Sequence, residues 1–216
     1  MIAITIFYLQ PVLLLVFVYL LMKQRKIAWM FAIFTYLCPL LREVVYLNAQ
    51  MPDGYYIYAF GNDLLYIALA IFSGVIWSRV KIPFTSIQKN DCFKVLIKIL
   101  VLLLIYTLIN LIALPFLKMN FAAAGFAMSL YTLGDIFMLS GLLMAALHYR
   151  VFILLFVIGF GLTIMVNIYF IFEHPQYYLY SVYNYYSIIM SSLAIVVLAY
   201  GHKKFLNKNF ARQVYI

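Results

Sequence analysis

Runs of apolar residues long enough to cross a bilayer follow one another along the whole chain, broken only by short clusters of basic, amide, Pro and Gly residues. A helix rises about 1.5 Å per residue, so ~30 Å of hydrocarbon takes about 20 residues. On that measure the pattern predicts seven spans: Ile2–Met22, Ile27–Leu47, Tyr55–Trp77, Val95–Leu117, Phe121–Leu147, Val151–Phe172 and Tyr177–Tyr200. The breaks carry turn and charge signals at Lys23–Lys26, Asn48–Gly54, Lys81–Lys94, Lys118–Asn120, His148–Arg150 and Glu173–Gln176. Pro11 and Pro39 fall inside the first two spans, where a kink is expected.

The basic residues then orient the spans. With the N-terminus outside and the C-terminus in the cytoplasm, every Lys and Arg except Arg42 and Lys118 falls on the cytoplasmic side. Merging the fifth and sixth spans would break that alternation. The expected fold class is an all-α integral membrane protein, a bundle of seven transmembrane helices over residues 1–204, with a short basic cytoplasmic tail over 205–216. The expected location is a cell membrane of the bacterial inner-membrane type, crossed many times. Positive charge follows the first run rather than preceding it, so that run reads as a retained helix and not a signal peptide. Beyond it the chain parses as three hairpins, a 1+2+2+2 organisation whose returning helices end in Arg79, Arg150 and Lys203.

Composition agrees and removes other classes. Of 216 residues 68% are hydrophobic and 10% charged, where a soluble domain carries about 25% charged residues. A net charge of +9 would point to nucleic acid if it were concentrated. Here the charge sits at span ends, so the expected partner is the lipid bilayer and not nucleic acid. Cys38 and Cys92 stand at different levels and form no CxxC, and the histidines at 148, 174 and 202 do not cluster. No metal and no cofactor is expected.

Chemistry is therefore sought among polar residues inside the spans, where they are costly. An acid near mid-membrane costs roughly 2.5–3.5 kcal/mol to insert, and functional sites are where such residues persist. Asp135 is the deepest, within YTLGDIFMLSGLLMAALHYR, with Tyr131 one turn away. A stripe of small residues, Ala127, Gly134, Gly141 and Ala145, predicts close packing on another side of that helix. The third span places Asp63 and Tyr66 on one face, with Asn62 beside them. Arg42 and Glu43 stand at a comparable depth in the second span; Arg42 would pair with an acid or receive an anionic group. Asn110, Asn167, Asn184 and Ser187 mark the fourth, sixth and seventh spans. The candidate ligand-binding set is thus Arg42, Glu43, Asn62, Asp63, Tyr66, Asn110, Tyr131, Asp135, Asn167, Asn184 and Ser187, read as a cavity open to the outside and narrowing toward Asp135. For the amides the competing reading is helix-to-helix hydrogen bonding. For the tyrosine-rich run Gln176–Tyr186 it is an interfacial aromatic belt.

Several membrane chemistries fail on residues. A retinal Schiff base needs a lysine in the last span, and 177–200 has none. A rhomboid-type protease needs a mid-membrane histidine, and a glutamate-pair protease needs more than Glu43 and Glu173. The lysoplasmalogenase family resembles the chain in size, hydrophobicity and an in-helix Gly134-Asp135. The chain lacks a Lys-Pro near the second span and a histidine-containing helix after the acid, so no membership is assigned. The leading expectation is a protein that binds or transports a small polar or amphipathic solute, Asp135 being its proton or cation coupling site. A sensory or accessory subunit working through a membrane-protein partner is the alternative. A lipid-acting enzyme using Asp63 and Asp135 is the second alternative; no catalytic residue is otherwise assigned.

Overall fold

The computed structural model describes residues 2–46, 53–79, 84, 91–113, 121–173 and 178–203, with the side chains of 2–7, 42–46, 53–59, 109–113, 121–129, 173 and 178–181 outside that description. Seven helices occupy these residues: α1 Ile2–Met22, α2 Ala28–Tyr46, α3 Asp53–Arg79, α4 Cys92–Ala113, α5 Phe121–Ala146, α6 Phe152–Glu173 and α7 Tyr178–Gly201. Each coincides with one expected run, with ends moved by at most a few residues, and no strand occurs among the described residues. By length and composition three described segments can cross a membrane, Phe60–Arg79, Phe152–Phe172 and Val182–Gly201. Tyr8–Met22, Ala28–Leu41 and Leu130–Ala146 are apolar but shorter over the described residues. The expected tail at 205–216 lies outside the described residues.

Two chain reversals show why helices end where they do. At the end of α1 the Gln24 N–H donates to Leu21 O (2.9 Å) and the Arg25 N–H to Leu20 O (3.0 Å). At the end of α5 the His148 N–H donates to Ala145 O (3.1 Å) and the Tyr149 N–H to Met144 O (2.9 Å). Both are Schellman caps, which satisfy carbonyls that a helix end leaves open. The left-handed position, usually glycine, is Gln24 (φ 54°) in one and His148 (φ 61°) in the other. The second cap is what separates α5 from α6 within a few residues.

Helix neighbours run α1–α2–α3–α5–α6–α7 and back to α1, with α4 outside this ring against α3 and α5. The three hairpins therefore do not take equivalent places. Large apolar side chains remain exposed around the outside: Phe34 on α2, Phe72 on α3, Leu100 and Leu104 on α4, Leu154 on α6 and Val196 on α7. Water-soluble surfaces rarely carry contiguous apolar area on this scale. With the three long apolar helices, this points to a membrane protein.

At the end where Lys26, Arg79, Arg150 and Lys203 gather, the interior is filled by a closed circuit of aromatic rings. Phe17 meets Trp29 (centroids 5.7 Å), Trp29 meets Trp77 (5.5 Å), and Trp77 meets Phe84 (5.5 Å). Phe84 meets Phe152 (4.8 Å), Phe152 meets Phe156 (5.8 Å), and Phe156 returns to Phe17 (6.2 Å). All six are essentially removed from solvent, and tilted or edge-to-face rings are the favoured aromatic arrangement. The Trp77 indole N–H donates to Ala145 O (3.1 Å) and its ring stacks on His148 (4.8 Å), tying α3 to the α5 cap. Arg150 Nε donates to Phe84 O (3.1 Å) and Lys26 Nζ to Ser78 O (3.0 Å).

The small-residue stripe of α5 meets α6, as its pattern predicts. A Cβ on Gly141 would stand 2.6 Å from the ring of Phe156, and one on Gly159 would stand 2.8 Å from Met138. This close approach orients α5, and Asp135 turns toward α3 and α4.

Candidate functional site

Asp135 lies near the middle of α5, between tyrosines from two other helices. The Tyr66 hydroxyl on α3 donates to Asp135 Oδ1 at 3.0 Å and stands 3.1 Å from the Asp135 backbone oxygen. The Tyr106 hydroxyl on α4 approaches Oδ2 at 3.4 Å. Three helices thus meet on one carboxylate, each tyrosine taking one of its oxygens. Both tyrosines are buried, while Asp135 keeps some accessible surface.

A third tyrosine backs the second. Tyr36 on α2 stacks on Tyr66 with centroids 4.2 Å apart and planes 13° from parallel. Tyr36 is buried, its hydroxyl has no hydrogen-bond partner, and both Asp135 and Asp63 lie within electrostatic reach of it.

The position of α3 is set by its inner stripe. Asn62, Tyr66, Ala70, Ser73 and Trp77 follow at spacings of three and four and are all buried, which is one face of a helix. Trp77 anchors that face in the aromatic circuit, and Asn62 lies one turn beyond Tyr66 at its other end. Asn62 is 5% exposed, yet neither its amide nitrogen nor its amide oxygen has a partner. A buried polar group without a hydrogen bond costs about 1–3 kcal/mol, so Asn62 is held in an environment that does not satisfy it. Asp63, next in the chain, is partly buried.

Other expected site residues fall elsewhere. Asn167 on α6 donates to Thr163 O (2.7 Å) and to Ser187 Oγ on α7 (3.2 Å). This is the helix-to-helix reading of the amides, and it joins α6 to α7. Asn184 is buried on α7 one turn from Ser187. Tyr131, one turn from Asp135, is 51% exposed and faces outward. The side chains of Arg42, Glu43 and Asn110 lie outside the described residues. The tyrosine-rich start of α7 packs on α1: Tyr183 and Tyr186 meet the Tyr8 ring edge-to-face, and the Tyr186 hydroxyl donates to Tyr8 O (2.9 Å).

Tyr36 and Tyr106 are the members that sequence reasoning passed over. Twenty tyrosines dilute the meaning of any one. In α4 Asn110 is the conspicuous polar residue, and the Thr107 beside Tyr106 is exposed and bonds its own turn at Leu103 O (2.8 Å). The usable signal was Tyr106 itself, a phenol in the middle of an aliphatic run.

No group of three or more His, Cys, Asp or Glu able to hold a metal occurs among the described residues. Comparison with family models, with characterised proteins and with solved structures finds no match to this chain. The chemistry of the site therefore carries the functional argument alone.

Proposed function

We propose that the chain is a seven-span membrane protein that binds or transports a small polar or amphipathic solute, with Asp135 as its proton or cation coupling site. Lengths of 19 to 27 residues in every helix support seven crossings, being about 28–40 Å at 1.5 Å per residue. The basic end, closed by the aromatic circuit, is the cytoplasmic one, and the solute enters from the other side.

One observation carries the reading. Asp135 is held by two tyrosine hydroxyls in an apolar bundle, and no basic side chain stands beside it among the described residues. A carboxylate in such surroundings is stabilised by binding a proton or a cation, and that exchange is what a coupled binding site uses. Asn62 and the Tyr36 hydroxyl, unsatisfied nearby, supply polar contacts for the solute.

The test has two arms. Solutes that raise the melting temperature of the purified protein are sought by screening, and each hit is repeated on Asp135→Asn. Counterflow of a labelled hit in proteoliposomes then separates transport from binding. If every hit acts equally on Asp135→Asn, the reading is wrong. Orientation is checked on Cys92, which is exposed at the start of α4. A membrane-impermeant maleimide should label it in inverted vesicles and not in intact cells.

A further inference from the structure

The unused bonding capacity of the site narrows the class of solute. An ionised carboxylate offers about four lone-pair positions. Tyr66 and Tyr106 take one on each oxygen, leaving roughly two. The Tyr66 oxygen that donates here still holds lone pairs of its own. When ionised, the free side of Asp135 is therefore acceptor-rich and negatively charged, and it calls for a cation that carries N–H donors. A quaternary ammonium has the charge but no donor. A multivalent metal would want several acidic or imidazole ligands, and no such group occurs among the described residues. The neighbouring surface is aromatic, from the stacked Tyr36 and Tyr66, which suits an organic body better than a hydrated inorganic ion.

A second, independent observation comes from the next turn of α3. Asn62 is 5% exposed and Tyr36 is 6% exposed, and the Asn62 amide and the Tyr36 hydroxyl have no partner. Asn62 shares the Tyr66 face one helical turn away, a rise of about 5–6 Å. An amide offers both a donor and an acceptor, so it matches a neutral polar group such as a hydroxyl or carbonyl. Left empty, it carries a desolvation cost that a bound polar group removes.

We propose that the site takes a small protonated primary or secondary amine, its ammonium on Asp135 between Tyr66 and Tyr106 and a neutral hydroxyl or carbonyl on Asn62. This rests on the binding reading above and names the ligand class for the same residues.

The experiment uses the full chain in detergent and three probes of similar size: 4-aminobutan-1-ol, n-butylamine and n-butanol. Binding is read as the shift in melting temperature with probe concentration, at a pH where the amines are protonated. The amino alcohol should bind tightest, butylamine more weakly, and butanol not at all. Asp135→Asn should weaken amine binding by roughly 10- to 150-fold, the worth of a charge-assisted hydrogen bond. Asn62→Ala should weaken the amino alcohol by roughly 2- to 10-fold and leave butylamine unchanged. Because a change at Asp135 can disturb folding, the Asn62 selectivity stands as a separate criterion. Equal binding of butanol and butylamine, or amine binding indifferent to Asp135→Asn, overturns the proposal. If no amine shifts the protein while sodium, potassium or a neutral solute does so through Asp135, the amine class is wrong and the coupled site stands. If nothing acts through Asp135, both fail.

Discussion

Removing one oxygen atom tests the centre of the site. Tyr66→Phe deletes the hydroxyl that reaches Asp135 Oδ1 at 3.0 Å and leaves the ring that stacks on Tyr36 at 4.2 Å. Packing is preserved, so the loss is almost entirely the hydrogen bond. Its size depends on what the tyrosine is bonded to. Between neutral partners inside a membrane protein such a bond is worth about 0.6 kcal/mol. A bond to an ionised group is worth about 1.5–3 kcal/mol. The clean quantity is the coupling energy from a double-mutant cycle of Tyr66→Phe with Asp135→Ala, which leaves no acceptor for the hydroxyl, measured by reversible unfolding in mixed micelles. We expect it to lie above ~0.6 kcal/mol, and a value over ~1.5 kcal/mol marks a charged carboxylate. Tyr106→Phe should couple less, because its 3.4 Å contact is long for an O–H···O bond. A Tyr66 coupling below about 0.3 kcal/mol, within the scatter of independent sites, would refute the geometry described. So would a larger coupling for Tyr106 than for Tyr66.

Three further outcomes follow from packing and burial. Asn62→Leu should raise the stability of the ligand-free protein by about 1–3 kcal/mol, because it removes buried polar atoms that have no partner; thermal unfolding reads this, and the same variant should bind the amino alcohol more weakly. Gly141→Ala should destabilise by about 1–3 kcal/mol, since its Cβ would stand 2.6 Å from the fully buried Phe156. Gly161→Ala meets nothing within 4 Å and should be neutral or gain up to about 1 kcal/mol from helix propensity; the pair is compared by melting temperature. Trp77→Phe should cost about 0.5–1.5 kcal/mol for the indole bond to Ala145 O, with a matching fall in the denaturant midpoint.

Helix existence and limits were legible in the sequence because they depend on length and on punctuation by charge. Lys23–Lys26 and Lys81–Lys94 break the runs wherever an apolar helix would leave the bilayer. A close-packed side of α5 was legible as well, since Gly134 and Gly141 leave room for a neighbouring helix, though not that α6 is the helix that fills it. Rotation was not legible where both faces of a helix are apolar. Lipid and protein interior look alike to a leucine, so the leucines of α4 give no direction and the phenol of Tyr106 is the one cue that this side turns inward. Tyr66 and Asn62 were singled out because they are close in sequence to the acid Asp63. Tyr36 and Tyr106 belong to other helices, and only the fold brings Tyr106 to Asp135 and Tyr36 onto Tyr66. The amides were equivalent in sequence, yet Asn167 spends its donor on Thr163 and Ser187 while Asn62 has no partner. The aromatic circuit was not legible because its members come from four helices and from Phe84, with no common motif.

The place of α4 gives the Tyr106 contact a meaning beyond binding. Among the described residues this helix stands outside the ring against α3 and α5, with an exposed face of Leu96, Leu100, Leu104 and Leu108. Apolar contact alone does not favour protein over lipid as its companion. The phenol at Oδ2, at 3.4 Å, is a directional contact between α4 and α5, so a group that took that oxygen would also loosen the hold on the outermost helix.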